Sequence, residues 1–298
     1  MRMVIKHIKR LLFGVYWCIS VRLFPKVMAN KMYRSAMGKN IDWENPIDLN
    51  EKINWMKFNY DTTEWTRLAD KYLVRDYVSQ KGLADILVKL YGAWEDANDI
   101  DFEKLPNQFV LKTNHSCGTN IIVEDKSKLD IEKTRKKLNK WLKVKYGVDT
   151  VEPHYAGIKP LIIAEEFLVN DNKISSSLVD YKVFCLNGKP HSILVCANRI
   201  EGHKDVGFYD VDWRLLPNMI NLKHYTNSVE IKVPTNLSQM IKSAAILSEG
   251  HPFVRVDFYD VQGRLFFGEM TFTPMGGYMT SIEPKMLEEM GQLVNIHS

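Results

Sequence analysis

The chain has 298 residues, 45% hydrophobic and 26% charged, which excludes a disordered, fibrous or polytopic membrane protein and leaves room for two small domains or one large one. With 40 Lys and Arg against 36 Asp and Glu, the net charge is only +4, too even a balance to nominate nucleic acid as the partner. Cys18, Cys117, Cys185 and Cys196 form no C-x-x-C pair, so neither a zinc site nor a disulfide framework is expected and a reducing cytoplasm fits best.

At the N-terminus, Lys6, Lys9 and Arg10 precede an apolar stretch over 11–21, and Arg22 and Lys26 follow it. No small-x-small cleavage site comes next, and the run falls short of the about 20 apolar residues a membrane span needs. Residues 1–30 therefore read as a basic amphipathic helix, either packed on the body or lying peripherally on the inner, anionic face of a membrane.

Residues 31–100 read as a helical region, with Leu49, Ile53 and Met56 on one stripe and Trp65, Leu68 and Tyr72 on another. Asp48 is placed to N-cap the first of these helices, with Glu51 completing a capping box. The polar stretch 95–106 is the weakest boundary, where a linker would be tolerated. Beyond it, β-like runs lie at 109–111, 121–123, 161–168, 181–186, 192–197, 253–259 and 265–273. Two helices interrupt them. One, over 133–146, is strongly basic and puts Leu138, Trp141 and Leu142 on one face; the other, over 237–248, turns Met240, Ala244 and Leu247 inward behind an Asn236 cap. The class is α+β, without βαβ alternation. Asn187-Gly188 predicts a type I′ hairpin turn, and Gly263 marks a second hairpin.

The second hairpin is the most informative segment. Period-two alternation sends Arg255 and Asp257 to one face, and Glu269, Thr271 and Thr273 share a face on the returning strand. A three-residue loop over 262–264 would set Asp257 across from Glu269, whereas a two-residue turn would part them. Opposed carboxylates repel unless a cation lies between them, and a divalent ion completed by phosphate oxygens is one solution. A solvated face paired with Arg255 and Arg264 is the other reading. Asp257→Asn and Glu269→Gln are each expected to leave the melting temperature of the ligand-free protein unchanged or raised, since removing unpaired like charges relieves strain.

Residues 109–123, FVLKTNHSCGTNIIV, place Lys112 at a strand end beside a loop of small polar residues around Gly118. Such a loop can cover a polyphosphate, although the G-x-x-x-x-G-K-[ST] pattern is absent. LIIAEEFL at 161–168 is an apolar strand that turns acidic at Glu165 and Glu166, and Asp180 and Lys182 open the first hairpin. His115 and His154 read as surface residues, with a role on the acceptor side as the alternative.

Taken in order, these pieces resemble the ATP-grasp superfamily, and more narrowly its TupA-like, teichuronopeptide-biosynthesis family. The segments that carry the resemblance are NPIDLNEKINWMKFNY, FVLKTNHSCGTN, IKPLIIAEEFL, DYKVFCLNGKP, FYDVDW and FVRVDFYDVQGRLFFGEMTFTPMGG, from about residue 40 to the C-terminus. The resemblance implies an ATP-grasp domain over 101–298, with a lid subdomain at about 101–168 and a metal and phosphate subdomain at about 169–298 sandwiching the nucleotide. It implies ATP and Mg²⁺ as cofactors, with Lys112 and Lys182 on phosphates, Gly118 in the lid, and Glu165, Glu166 and Leu168 at the adenine hinge. Asp171 would take the ribose, Asp257, Glu269 and Thr271 would hold Mg²⁺, and Arg255 and Arg199 would neutralise a transferred phosphoryl group. Thr271 departs from the asparagine usual there.

The implied reaction joins a carboxylate to an amine through an acylphosphate. The implied partners are a carboxylate-bearing saccharide or lipid-linked glycan acceptor and an amine donor, within capsule or other polysaccharide biosynthesis. Three rivals stand beside it. A glycosyltransferase could use the D-x-D of Asp210-Val211-Asp212, although Asp99-Ile100-Asp101 shows how common that pattern is. A sugar or lipid kinase could use the same ATP site, and a membrane-docked assembly protein could carry a degenerate one.

Overall fold

The computed structural model describes residues 16–169, 175–200, 203–221 and 231–297. Residues 16–23 are helical and lead into α1, Pro25–Met37, which starts on a proline and stops at Gly38, whose N–H returns to the Arg34 carbonyl. In α2, Leu49–Asn59, the expected capping box is complete: Asp48 accepts from the Glu51 N–H, and Glu51 accepts from the Asp48 N–H. Two short helices follow, α3 at Thr63–Ala69 and α4 at Val74–Gln80.

Two antiparallel sheets carry the rest. β1 (Leu90–Trp94), β2 (Phe109–Thr113), β3 (Asn120–Val123) and β4 (Ile162–Glu166) form the first, in the order β1-β4-β2-β3. Phe109 and Leu111 on β2, with Ile162 and Ala164 on β4, pack under Leu138 of α5, Ile131–Leu142. Each such fully buried leucine, isoleucine or phenylalanine contributes roughly 1.5–3 kcal/mol. Residues 95–106 are not a linker. They form two short 3₁₀ turns whose Ala97, Ile100, Phe102 and Leu105 belong to this same core.

The second sheet holds β5 (Asp180–Leu186), β6 (Lys189–Ile200), β7 (His203–Asp210), β8 (Phe253–Val261) and β9 (Arg264–Thr271), in the order β7-β6-β5-β8-β9. α6 (Leu237–Ser248) and α7 (Pro284–Leu293) join it in one core with Leu49, Ile53, Met56, Trp65 and Leu68. Within the helical region expected at 31–100, α2, α3 and α4 share the second sheet's core, while β1, before residue 100, belongs to the first sheet. Asn236 occupies the N-cap position of α6 without capping it, because its side chain is committed to Asp260. Among the described residues, no helix is long and apolar enough to cross a membrane.

Both hairpins exist, but the second closes differently from expectation. Asn187 and Gly188 make the first turn, at φ 48° and 72°. In the second, Val261 pairs with Arg264, so Gln262 and Gly263 alone form the turn, at φ 52° and 76°. Such a two-residue turn taken alone would put the acids on opposite faces. The register shifts between Asp257 and Phe258, so that Phe258 faces Phe267 while Asp257 faces Glu269, and Gly268 is the extra residue of a β-bulge. A Cβ at Gly268 would lie 3.0 Å from the Asp257 carbonyl oxygen, an approach that glycine tolerates.

Candidate active site

Alternation along β2 sends Phe109 and Leu111 to the core and Val110 and Lys112 to the opposite face, where β4 presents Glu165 opposite Val110. Lys112 and Glu165 are thus diagonal neighbours, and the Nζ to Oε2 distance is 2.5 Å. Arg75 of α4 approaches Glu165 Oε1 at 3.5 Å while donating to the Val88 carbonyl at 2.7 Å. Glu165, expected at an adenine hinge, lines the cleft with its carboxylate bonded to Lys112 and close to Arg75. Glu166 and Leu168 do line the cleft, beside an apolar slot of Val88, Leu178 and Tyr259.

The loop after β2 is organised by a triangle of hydroxyls: Thr113 lies 2.6 Å from both Ser116 and Thr119, which are 2.8 Å apart. Gly118, at φ 70° with open space where a Cβ would stand, forms the loop's free tip at the cleft. Buried Asn114 donates to Asp70 and accepts from the Leu161 N–H, fixing the loop's base to the end of α3. That tie places Lys71, which donates to the Ser116 carbonyl at 3.0 Å and reaches Glu269 at 3.5 Å, between the two sheets.

Across the cleft, Lys182 on β5 stands opposite Asp257 on β8, at 2.5 Å from its Oδ2 and 2.7 Å from Asp180. Arg255 donates through Nε and Nη2 to both Asp257 oxygens at 2.6 and 2.7 Å, and through Nη2 to Glu269 and Thr271, each at 3.1 Å. Thr271 in turn donates to Glu269 at 3.0 Å. Burial alone would lift the Glu269 carboxyl, but Lys71, Arg255 and Lys182 outweigh it and hold it far below the usual carboxylate range. Burial raises Asp257, against the pull of Arg255 and Lys182.

One cleft of about 340 Å³ gathers Lys112, Gly118, Glu165, Glu166, Leu168, Lys182, Asp257 and Glu269, which sequence reasoning singled out from four separate segments. It adds Lys71 and Asp180, which that reasoning left out of the site. Two expectations need correction. The acids are not an unpaired, repelling couple, since Arg255 and Lys182 compensate them. Arg255 and Thr271 do not line the cleft; they lie behind the acids, bonded to them. The hard oxygens of Asp257 and Glu269, opposite each other in register, fit Mg²⁺, which keeps waters and takes phosphate oxygens besides one or two carboxylates. Three lysines on the same cleft suit the phosphates.

A family model described as TupA-like ATPgrasp matches residues 51–295. The chain belongs to the TupA-like ATP-grasp family. No curated protein matches it by sequence. Among solved structures, a D-alanine–D-alanine ligase from Bacillus anthracis complexed with ATP is 15% identical, with a TM-score of 0.46 over 76% of this chain and 63% of that one. The ATP-grasp ligase PsnB complexed with its minimal precursor is 12% identical, with a TM-score of 0.40 over 72% of this chain and 55% of that one. The Helicobacter pylori D-alanine–D-alanine ligase gives 11% and 0.45 over 85% and 68%.

Two residues expected in the site of this TupA-like protein are not placed. Asp171 lies outside the described residues, and of Arg199 only its position on β6 is described. Asp210 of the D-x-D accepts from the backbone N–H groups of Asp212 and Arg214, which makes it a turn residue. His115 and His154 are both buried, not surface residues. Both ring nitrogens of His154 lack a hydrogen-bond partner among the described residues, and the ring meets Trp65 edge-on at 5.7 Å.

Burial, with Lys57 adding to it, pushes His154 down to about 3 from 6.5. Between those values the unfolded chain binds a proton that the folded chain refuses, so stability falls as pH drops through that window, by at most about 4–5 kcal/mol. His154→Phe is expected to flatten that acid slope and to raise the melting temperature near pH 4.5. A slope that persisted in the variant would assign the acid loss to another group.

Proposed function

We propose that this protein is an ATP- and Mg²⁺-dependent ligase that joins a carboxylate to an amine in cell-surface polysaccharide biosynthesis of the capsule or teichuronopeptide type, acting in the cytoplasm. The observation that carries this reading is the pairing of Asp257 with Glu269 in one cleft with Lys71, Lys112 and Lys182. Lys112, Lys182 and Lys71 bind the triphosphate, and the slot beside Glu166 and Leu168 takes the adenine. Asp257 and Glu269 hold Mg²⁺, which neutralises phosphate charge when bound. Arg255 keeps both carboxylates aimed from behind and opposes the burial that would lift them, a positioning role.

A substrate carboxylate oxygen attacks the γ-phosphorus, the bond to the β-phosphate oxygen breaks, and ADP leaves. The amine nitrogen then attacks the acyl carbon of the acylphosphate, phosphate departs and the amine loses a proton. Positioning and charge stabilisation carry both steps, and the loop around Gly118 covers the site against water. Family membership supports this chemistry, while the polysaccharide assignment rests on the family's association.

Mg-ATP is expected to raise the melting temperature, and ADP release is expected to require a carboxylate and an amine together. Stabilisation by a UDP- or GDP-sugar with Mn²⁺ instead would favour a glycosyltransferase, and ADP release with an alcohol alone would favour a kinase. Lys112→Ala is expected to weaken Mg-ATP binding about tenfold or more, because a charge-assisted phosphate contact is lost. Its melting temperature should stay near that of the wild type, since Glu165 keeps Arg75. Unchanged ATP affinity would remove Lys112 from the phosphate site.

A further inference from the structure

A second cavity, of about 720 Å³, lies between the helical residues 16–23, the end of α2 and residues 145–156. Its walls are apolar, built from Ile19, Val21, Phe58, Val148, Val151 and Pro153, and two exposed cations, Arg22 and Lys145, stand on its rim. Lys57 and Glu152 lie at its inner end with their bonds already made. Lys57 donates to Asn54 Oδ1 and to the Gly276 carbonyl, and Glu152 accepts from the hydroxyls of Thr150 and Thr273. The inner end therefore asks for no hydrogen-bonding ligand.

The groove also adjoins the nucleotide cleft at two points. Tyr146, which lines the groove, donates to Cys117 of the lid loop at 3.1 Å. Thr273, bonded to Glu152 at 2.5 Å, lies two residues beyond Thr271, which touches Glu269. Beside the groove mouth, Tyr16, Ile19, Leu23, Phe24 and Val27 are each more than half exposed, 53–64%, on a segment that also carries Arg22 and Lys26.

We propose that this groove is the acceptor site and that the acceptor is an amphiphile, a long hydrocarbon chain esterified to phosphate and bearing the group to be joined. The chain lies along the apolar walls, where hydrocarbon needs no polar partner. The phosphate sits against Arg22 and Lys145 on the rim, and the reacting group turns past Tyr146 toward the cleft. A peptide occupant would bring backbone N–H and C=O groups into walls that offer them no partners. This inference rests on the ligase reading, whose own readout is the Mg-ATP thermal shift.

The test titrates the full chain by calorimetry with farnesyl phosphate, with farnesol and inorganic phosphate as the uncharged and chain-free comparisons, and records the Mg-ATP thermal shift on the same samples. Farnesyl phosphate is expected to bind saturably, and farnesol and inorganic phosphate at least about tenfold more weakly. Arg22→Glu with Lys145→Glu, and separately Ile19→Asp, are expected to weaken farnesyl phosphate about tenfold and to leave the Mg-ATP shift intact. All three positions are exposed, so neither variant asks the core to repack.

No binding of farnesyl phosphate, or equal binding by both variants, with the Mg-ATP shift retained, would overturn the groove assignment and spare the ligase reading. Farnesyl phosphate binding without any Mg-ATP shift would overturn the ligase reading and with it the acceptor role, leaving the groove as a site for a phosphorylated hydrocarbon. Concentration-dependent dimers broken by Ile19→Asp, without farnesyl phosphate binding, would give the groove to a second copy and overturn the proposal. Capture by phosphatidylglycerol vesicles that farnesyl phosphate does not compete with would likewise overturn it, in favour of a membrane surface.

Discussion

Asp257→Asn is expected to abolish ATP turnover and, in the same variant, to lower the melting temperature of the ligand-free protein. The turnover loss, roughly a thousandfold or more, follows from removing half of the carboxylate pair proposed for Mg²⁺. The stability loss follows from what surrounds Asp257. Its two oxygens receive Arg255 and Lys182 at 2.5–2.7 Å, and both cations are largely buried. Neutralising the acid strands them beside Glu269 and Asp180 alone, and breaking a buried pair from one side costs about 3–5 kcal/mol.

Glu269→Gln is expected to match the turnover loss and likewise to lower the melting temperature, because Lys71, Arg255 and Lys182, which hold its carboxyl far below the usual range, lose their partner. Replacing Asp257 and Arg255 together by leucine should recover much of the lost melting temperature and none of the turnover. Calorimetric melting with a coupled ADP assay separates these outcomes. An unchanged or raised melting temperature in Asp257→Asn would restore the picture of two repelling, uncompensated acids. A lowered melting temperature with turnover retained would make the pair structural.

Gly268→Val is expected to abolish Mg-ATP binding without touching a single proposed ligand. The bulge at Gly268 is what lets Asp257 face Glu269 despite a two-residue turn. Valine there would press its Cβ to 3.0 Å from the Asp257 carbonyl and its methyls beyond that, against Tyr259 at 3.4 Å. The cheapest relief is loss of the bulge, after which Asp257 faces residue 268 and Glu269 moves to the opposite face of the sheet. Gly268→Ala should be milder, since a shift of a few tenths of an ångström accommodates it. The readout is the Mg-ATP thermal shift. Full stabilisation by Mg-ATP in Gly268→Val would show that the hairpin holds its register without the bulge.

Much of the site was legible before any coordinates, and the reason differs by residue. Lys112, Lys182, Asp257 and Glu269 stood out because strand alternation is a local rule: once Val254, Val256 and Phe258 are buried, Arg255 and Asp257 must share the other face. The turn at Asn187-Gly188 was readable for the same reason, since φ near 48° and 72° suits those two residues. The capping box at Asp48 and Glu51 spans only three residues of chain. Lys71 gave no such signal. It sits between helices at a position defined by Asn114, more than forty residues away, so its arrival between the sheets depends on a hydrogen bond that no spacing rule anticipates.

The amino-acid order alone showed seven of the nine described strands, both hairpins and the α+β class, because those depend on periodicity and turn chemistry within a few residues, and its motifs carried the resemblance to the ATP-grasp superfamily; β1 and β7 gave no clear run. Four matters waited for the packed chain. They are the register of Asp257 against Glu269, the compensation of those acids by Arg255 and Lys182, the placing of Lys71, and the burial of His154. Each depends on how distant segments meet, where desolvation and a single inserted glycine decide which charges face one another.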